Sequence, residues 1–280
     1  MKVCSAYDLI GQYDAFLLDA YGVLVQSSGL LPGAADFIGE LRKRGKKIRI
    51  VTNDASKTPE TWVESYRAKG LSIEIAELMS AGVTIAPAFA RRGLKDPVCA
   101  VLGTPDTLAL VMRAGGKPQI ISANTRFDAV VIGDDSGFDF LPTMNALLSS
   151  IHRSIAAGQV PALFLANSDI LYPVSDGSFG FTSGSLARLL EMGLEKLHPK
   201  VSPRFETLGK PEPLIFEMAL KSAGVEASRA VMFGDQLHTD IAGAKAAGVA
   251  SALLTTGITQ WPVPKDVEPR PDFVIRSLLP

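Results

Sequence analysis

The sequence is poor in cysteine and histidine and almost neutral, and each shortage excludes a class of protein. Its two cysteines, Cys4 and Cys99, cannot form a disulfide framework, so a reduced, cytoplasmic setting is expected. Two of its three histidines, His152 and His198, have no partners at metal-ligand spacing in the sequence. The formal net charge is -1, which lacks the basic excess that nucleic-acid binding relies on. We therefore expect no nucleic-acid partner.

Long apolar segments are also missing. The longest charge-free stretch, between Lys245 and Lys265, is interrupted by glycines and prolines, so no membrane span is expected. Asp8 and Asp14 fall within the first turns of the chain, and no charged region leads into an apolar run there. A signal peptide is not expected either.

What the sequence does contain is an alternation of short apolar runs with helical patterns. Hydrophobic residues make up 47% of its 280 residues, enough for a sizeable core. The run Phe16–Leu18 ends at Asp19, and a second run, Ile48–Val51, ends at Thr52. Each run is followed by a helix-like segment, and this order predicts a parallel sheet with right-handed crossovers.

The alternation is interrupted and then resumes. Residues 81–190 have a βα alternation of their own, and the last third returns to the first pattern. We therefore predict a doubly wound, Rossmann-like α/β core built from residues 1–80 and 191–280. Residues 81–190 would be an inserted α/β cap that closes over the site.

Polar residues stand where the predicted core strands end or helices begin: Asp19, Thr52, Asn53, Lys210, Asp235 and Asp240. Each has an ordinary explanation as a helix cap, a turn residue or a solvated side chain. A parallel sheet, however, brings its strand ends to one edge, where ligands bind. Carboxylates there suit Mg²⁺, a lysine and a hydroxyl suit phosphate oxygens, and an aspartate can attack phosphorus. The residues alone leave both interpretations open.

These segments resemble the motifs of a known superfamily. Asp19-Ala20-Tyr21-Gly22-Val23-Leu24, Thr52-Asn53, Gly209-Lys210-Pro211 and Gly234-Asp235-Gln236-Leu237-His238-Thr239-Asp240 resemble the four ordered motifs of the haloacid dehalogenase superfamily. The insert resembles that of its class IIA branch, the sugar-phosphatase and nitrophenylphosphatase-like proteins. Ala166-Asn167-Ser168-Asp169, with Tyr172-Pro173, also resembles a segment of that branch.

The resemblance implies a Mg²⁺ site. Its ligands would be Asp19, Asp235 and the main-chain carbonyl of Tyr21, with Asp240 supporting the metal shell. It also implies a small phosphorylated metabolite as substrate and, because caps of this branch often pair, a homodimer.

The resemblance further implies how the phosphoryl group is handled. Asp19 would be the nucleophile, forming an aspartyl-phosphate. Thr52, with Asn53 beside it, would bind the phosphoryl oxygens. Lys210 would screen the charge between Asp19 and the phosphate.

Tyr21 departs from the phosphatase pattern, which has an Asp there as general acid. Tyrosine has a reference pKa near ~10 and is a poor base at neutral pH. General acid–base help is typically worth ~10²–10⁴-fold, so alkyl phosphate esters should react slowly and aryl or acyl phosphates should suffer least. His238 is a weaker candidate for the missing acid.

The leading prediction is therefore a Mg²⁺-dependent phosphohydrolase. A phosphotransferase or other chemistry at the same site is one alternative. A non-catalytic protein that binds Mg²⁺ and a phosphate ligand is the other.

Overall fold

The secondary structure comes from a computed structural model that describes residues 1–173 and 178–280. In chain order the strands are β1 (Lys2–Val3), β2 (Ala15–Leu18), β3 (Val25–Gln26), β4 (Gly29–Leu30), β5 (Lys47–Thr52), β6 (Leu78–Ser80), β7 (Val98–Leu102), β8 (Lys117–Pro118), β9 (Ala129–Ile132), β10 (Ala162–Leu165), β11 (Leu171–Pro173), β12 (Phe179–Phe181), β13 (Glu206–Thr207), β14 (Ala230–Gly234), β15 (Ala250–Leu254) and β16 (Phe273–Ile275). The α-helices are α1 (Ala34–Lys43), α2 (Pro59–Ala68), α3 (Ile85–Arg91), α4 (Pro105–Arg113), α5 (Phe140–Ala156), α6 (Ser183–Leu197), α7 (Pro213–Ala223) and α8 (Ala242–Ala246).

The central sheet has seven parallel strands in the order β1-β16-β15-β14-β2-β5-β6. Strand β2 lies in the interior of this sheet, and all of its side chains are buried, which explains its continuous apolar run. In register, Leu18 lies between Phe233 of β14 and Ile50 of β5. The carboxyl ends of these three strands therefore meet at one edge, as the sequence predicted.

A second parallel sheet, of five strands, has the order β13-β10-β9-β7-β8. The predicted fold class, a parallel α/β core with an inserted α/β cap, is confirmed. The predicted boundaries stay a prediction. Two elements extend beyond the predicted end of the insert at residue 190. Helix α6 continues to Leu197, because buried leucines recur at Leu186, Leu190 and Leu194, and β13 joins the second sheet from further along the chain.

The hydrophobic core has two main parts. One covers a single face of the central sheet, where Phe16, Phe37 and Phe233 pack together with ring centroids 5.5–6.1 Å apart. The other is continuous from the central sheet to the second sheet and includes Phe216 of α7 and Phe164 of β10. The second sheet is thus packed against the core at the edge where the polar residues lie. In the described ranges, no helix combines the length and the apolar character needed to cross a membrane.

Candidate active site

Asp19 is held at the end of β2 by backbone and side-chain contacts. Its N–H donates to the carbonyl of Phe233 at 2.8 Å, which continues the pairing of β2 with β14. Its Oδ1 accepts from the N–H of Ala20 at 2.7 Å and from Lys210 Nζ at 2.7 Å. The residue is 5% exposed. A buried carboxylate with this orientation is available for attack or for metal binding.

Asp235 directly follows β14, and Asp240 lies in a short π-helical turn, Leu237–Ile241. Asp240 Oδ2 accepts from the N–H groups of Asp235 and Gln236, each at 3.1 Å. A Cβ on Gly234 would lie 2.1 Å from the Cβ of Asp240, so this close approach requires glycine. Asp240 thereby orders the loop that carries Asp235.

Lys210 is buried, and its ammonium joins two carboxylates. Nζ lies 2.7 Å from Asp19 Oδ1 and 2.6 Å from Asp240 Oδ1. Burial alone would lower the pKa of Lys210, but Asp19 and Asp240 together outweigh it and raise the pKa above its usual range. The lysine is therefore charged and lies between the carboxylates of Asp19 and Asp240, whose negative charge it offsets.

Asn53 braces the backbone of Lys210. Its Oδ1 accepts from the N–H of Lys210 at 2.6 Å, and its Nδ2 donates to the Lys210 carbonyl at 3.0 Å. Thr52 is equally buried, and its Oγ1 accepts from the N–H of Asp54 at 3.2 Å. Both residues line the cavity that contains Asp19. The phosphate-binding roles predicted for them stay predictions.

The three carboxylates suit a divalent cation. Asp19, Asp235 and Asp240 each offer an oxygen, and these oxygens all lie within 4.8 Å of one another. Asp235 Oδ1 is buried without a hydrogen-bond partner, while Oδ2 accepts from the N–H of Ile258 at 2.6 Å. A buried carboxylate oxygen without a partner is costly unless a cation binds it, so this donor set fits Mg²⁺.

The ionisation of Asp19 and Asp235 depends on their burial and on the charges around them. Burial raises the pKa of the Asp19 carboxyl to about 7, against the opposing effect of Lys210 and with further help from Asp240. Burial, followed by the charges of Asp240 and Asp19, raises the pKa of Asp235 well above its usual range. A bound cation would favour the ionised forms of both groups.

Tyr21, at the position of the family's general acid, and His238, the candidate replacement, differ in location. Tyr21 is half-buried, packs against the apolar cluster beneath the central sheet and lines the cavity. His238 is exposed and lies outside the cavity lining. His238 is therefore better explained as a solvated side chain, whereas Tyr21 lies in the cavity that contains Asp19.

The cavity has a volume of about 490 Å³ and is closed by residues that the sequence analysis did not assign to the site. From the second sheet and its loops come Thr104, Asp134, Asp135, Ser136, Asn167, Asp169, Tyr172 and Thr182. Most belong to polar loops without a motif, so the sequence offered no signal beyond the resemblance of Asn167-Ser168-Asp169 and Tyr172. Adjacent acids in a loop are ordinarily interpreted as solvated, but Asp134 and Asp135 line the cavity.

Two histidines that had no partner by sequence spacing contact each other away from this site. His152 Nδ1 and His198 Nε2 lie 2.9 Å apart, with one residue on α5 and the other at the end of α6. They join two helices of the second sheet's layer and leave the cavity unaffected.

Comparisons with known proteins agree with this geometry. A family model described as haloacid dehalogenase-like hydrolase matches residues 16–117, and one described as HAD-hydrolase-like matches residues 207–280. Glycerol-3-phosphate phosphatase of Homo sapiens is 29% identical over 279 residues, covering 91% of this chain and 82% of the relative. The 4-nitrophenylphosphatase of Schizosaccharomyces pombe is 28% identical, covering 97% and 94%.

Solved structures show the same fold. A possible sugar phosphatase from Cytophaga hutchinsonii aligns with a TM-score of 0.82 and 28% identity over 99% of this chain and 98% of that one. Fold, carboxylate cluster and relatives together define a hydrolase of the phosphatase type. The chain belongs to the haloacid dehalogenase superfamily, in its class IIA branch.

Proposed function

We propose that this protein is a Mg²⁺-dependent phosphohydrolase that acts on a small phosphorylated metabolite through phosphorylated Asp19. The observation that carries the proposal is the Lys210 ammonium, buried between Asp19 and Asp240 beside the unpartnered oxygen of Asp235. A relative of 24% identity, a glycerol phosphate phosphatase of Mycobacterium tuberculosis, is described in complex with magnesium. That description concerns the relative, and the donor set of this chain is what supports Mg²⁺ here.

In the proposed reaction the chain's own residues position and stabilise the reacting groups. Asp19 attacks phosphorus while its Oδ1 stays fixed by Ala20 and Lys210. Thr52 donates its hydroxyl to a phosphoryl oxygen, and Lys210 offsets the charge that develops there. Mg²⁺, held by Asp19, Asp235 and the Tyr21 carbonyl, would supply further charge neutralisation. Water then hydrolyses the aspartyl-phosphate.

Tyr21 limits which substrates react well. A phenol at this position is a poor replacement for a carboxylic acid, so the departing oxygen receives little direct protonation from Tyr21. Aryl and acyl phosphates need little protonation because their leaving groups are stable anions. We infer that they react faster than alkyl esters.

The charge of the cavity supports a neutral or cationic leaving group. Besides Asp19 and Asp235, the described lining carries Asp54, Asp134, Asp135 and Asp169, against one accessible cation, Lys57. The Lys57 ammonium lies 4.1 Å from the centroid of the Trp62 ring. A substrate with a carboxylate or a second phosphate on its leaving group would be repelled.

The test is phosphate release with Mg²⁺ for wild type, Asp19→Asn and Tyr21→Asp. The substrates are 4-nitrophenyl phosphate, acetyl phosphate, ethanolamine phosphate, glycerol 3-phosphate and 3-phosphoglycerate. We expect aryl and acyl phosphates to react fastest, Asp19→Asn to be inactive and Tyr21→Asp to gain alkyl esters. Ethanolamine phosphate has a cationic leaving group and 3-phosphoglycerate an anionic one. The ratio of their rates therefore tests the charge of the cavity.

Other outcomes favour the alternatives. Mg²⁺-dependent stabilisation by phosphate without turnover, in wild type and in Tyr21→Asp, would indicate a binding protein. Transfer of the phosphoryl group to an added alcohol in preference to water would indicate a phosphotransferase.

The homodimer and the cytoplasmic location also stay proposals. Cys4 and Cys99 are free, and Cys99 is buried, which supports a reduced setting. Sedimentation equilibrium of the full chain would test the dimer.

A further inference from the structure

We propose that Asp169 is the proton donor to the leaving group and the base that activates water afterwards, a role that rests on the proposed function. It would supply the chemistry that Tyr21 does not. Asp169 lies on the segment that follows β10, in the second sheet's layer, and lines the same cavity as Asp19 and Tyr21. Such a role requires a segment that is firmly tied to the catalytic lysine.

The segment is fixed to the core by hydrogen bonds. Ser168 Oγ donates to the carbonyl of Lys210 at 2.9 Å, the same carbonyl that accepts from Asn53 Nδ2. The N–H of Asp169 donates to Asn167 Oδ1 at 3.0 Å, and its carbonyl accepts from the N–H of Gly184 at 3.0 Å. The backbone of Asp169 is thus anchored on both sides.

Close backbone approaches strengthen this anchor. A Cβ on Gly184 would lie 2.5 Å from the carbonyl oxygens of Ser168 and Asp169. A Cβ on Gly209, beside Lys210, would lie 2.6 Å from the carbonyl oxygen of Ala166. Such distances are possible only for glycine. The first turn of α6 and the Lys210 loop are therefore both in direct backbone contact with this segment.

The Asp169 carboxyl faces groups of the reaction centre. Its Oδ1 lies 3.4 Å from Asn53 Nδ2, and the charges of Lys210 and Asp240 act on it. Burial raises its pKa to about 6, Lys210 opposes the rise and Asp240 adds to it, while hydrogen bonds from Asn53 and Gln236 favour the ionised form. Both protonation states are therefore populated near neutral pH, as a group that first donates and then accepts a proton requires.

Apart from Asp19 and Asp235, the other carboxyls of the cavity have hydrogen-bond partners away from the catalytic lysine. Asp54 Oδ1 accepts from the N–H of Ser56 at 2.7 Å, and Asp134 Oδ1 accepts from the N–H of Ser136 at 3.0 Å. Asp135 Oδ1 lies 3.5 Å from the hydroxyl of Thr182. Their described hydrogen bonds do not reach Asn53 or Lys210, whereas the carboxyl of Asp169 contacts Asn53 directly.

The proton that Asp169 gives up in the first half of the reaction returns to it in the second. Asp19 forms a bond to phosphorus while the bond between phosphorus and the leaving-group oxygen breaks, and the Asp169 carboxyl gives its proton to that oxygen. The resulting Asp169 carboxylate takes a proton from water as the water oxygen bonds to phosphorus, and the bond between phosphorus and the Asp19 oxygen breaks, which returns the Asp19 carboxylate. Phosphate is released, and Asp169 is again protonated.

The experiment compares 4-nitrophenyl phosphate with glycerol 3-phosphate in wild type, Asp169→Asn and Asp139→Asn, with Mg²⁺. Asp139 is an exposed acid at the start of α5, outside the cavity lining, and serves as the matched control. We expect Asp169→Asn to lower kcat for glycerol 3-phosphate by ~10²-fold or more and that for the aryl ester by much less. Asp139→Asn should leave both rates unchanged.

A second measurement uses wild type alone, in case Asp169→Asn folds poorly by its melting temperature. The ratio of alkyl to aryl kcat should fall as pH rises through the titration of the donor. Three results would overturn the role of Asp169 and leave the proposed function standing. They are equal losses of kcat for both substrates in folded Asp169→Asn, unchanged kcat in that variant, and an alkyl-to-aryl ratio in wild type that does not depend on pH. A wild type inert on every phosphate would overturn the proposed function, and the role of Asp169 with it.

Discussion

At the scale of single residues, Gly22 determines how closely the chain can approach Asp235. Gly22 has φ +85°, and a Cβ there would lie 2.4 Å from Asp235 Oδ2. We expect Gly22→Ala to displace the Asp235 carboxylate and to weaken Mg²⁺ binding by ~10–100-fold, the usual effect of disturbing a group that orients a metal ligand. Titration calorimetry with Mg²⁺ measures this affinity.

Gly29→Ala is the matched control for that experiment. Gly29 also has a positive φ, +133°, but a Cβ at this position would have no atom within 4 Å. Both variants carry backbone strain of roughly 1–2 kcal/mol, whereas only Gly22→Ala adds the clash. Equal losses of Mg²⁺ affinity in the two variants would show that strain, and not the carboxylate position, is responsible.

Some contacts between single residues could be predicted from the sequence, and others could not. The meeting of Asp19 and Asp235 followed from two buried strands whose carboxyl ends share an edge. The bracing of Lys210 by Asn53 did not follow, because it joins residues 157 positions apart through side-chain geometry. Asp169 came to the site for the same reason, through packing of the second sheet.

At the scale of elements, Glu191 ties α6 to the chain that enters β13. Glu191 is 5% exposed, and its Oε1 accepts from the N–H of Phe205 at 2.8 Å. Its Oε2 accepts from Arg188 at 2.9 Å. We expect Glu191→Ala to lower the free energy of unfolding by about 1–3 kcal/mol, because the buried N–H of Phe205 loses its acceptor. Denaturation by urea measures this.

Glu195→Ala, one turn further along α6, is the comparison. Its carboxylate pairs with Arg204 at 2.7 Å, but both side chains are about half exposed, and such pairs contribute roughly 0–1 kcal/mol. If the two variants lost equal stability, the buried hydrogen bond to Phe205 would not be the stabilising contact.

The elements differ in how far the sequence predicted them. The buried runs of β2 and β5 were predicted because several apolar residues in a row leave a clear signal. Strands of two residues, such as β8 and β13, are too short to have a period. Helix α6 crosses the predicted end of the insert at residue 190, since it runs from Ser183 to Leu197.

At the scale of the whole molecule, the two sheets share a hydrophobic cluster, so the cavity between them is part of one packed structure. The carboxylates at its base are consequently buried by both layers. Their burial links the stability of the entire chain to pH and to Mg²⁺.

The sign of this linkage follows from the pKa of Asp19. Its folded value of about 7 lies above the ordinary carboxyl value of 3.8, so between these values the native state binds more protons than the unfolded state. Without metal, stability from this group is fully present below the ordinary value and is lost as pH rises through about 7. The pKa of Asp169 is also raised, to about 6, so the stability that this group contributes is likewise lost as pH rises.

We therefore expect the melting temperature of the metal-free protein to fall between pH 5 and pH 8. Mg²⁺ binds the ionised carboxylates, so the melting-temperature increase at a fixed Mg²⁺ concentration should be larger at pH 8 than at pH 5. Calorimetric scans with and without Mg²⁺ test both statements, and Asp235→Asn should reduce both effects. A metal-free stability that rises over this range, or a Mg²⁺ effect independent of pH, would mean that the carboxylates are not held protonated by burial.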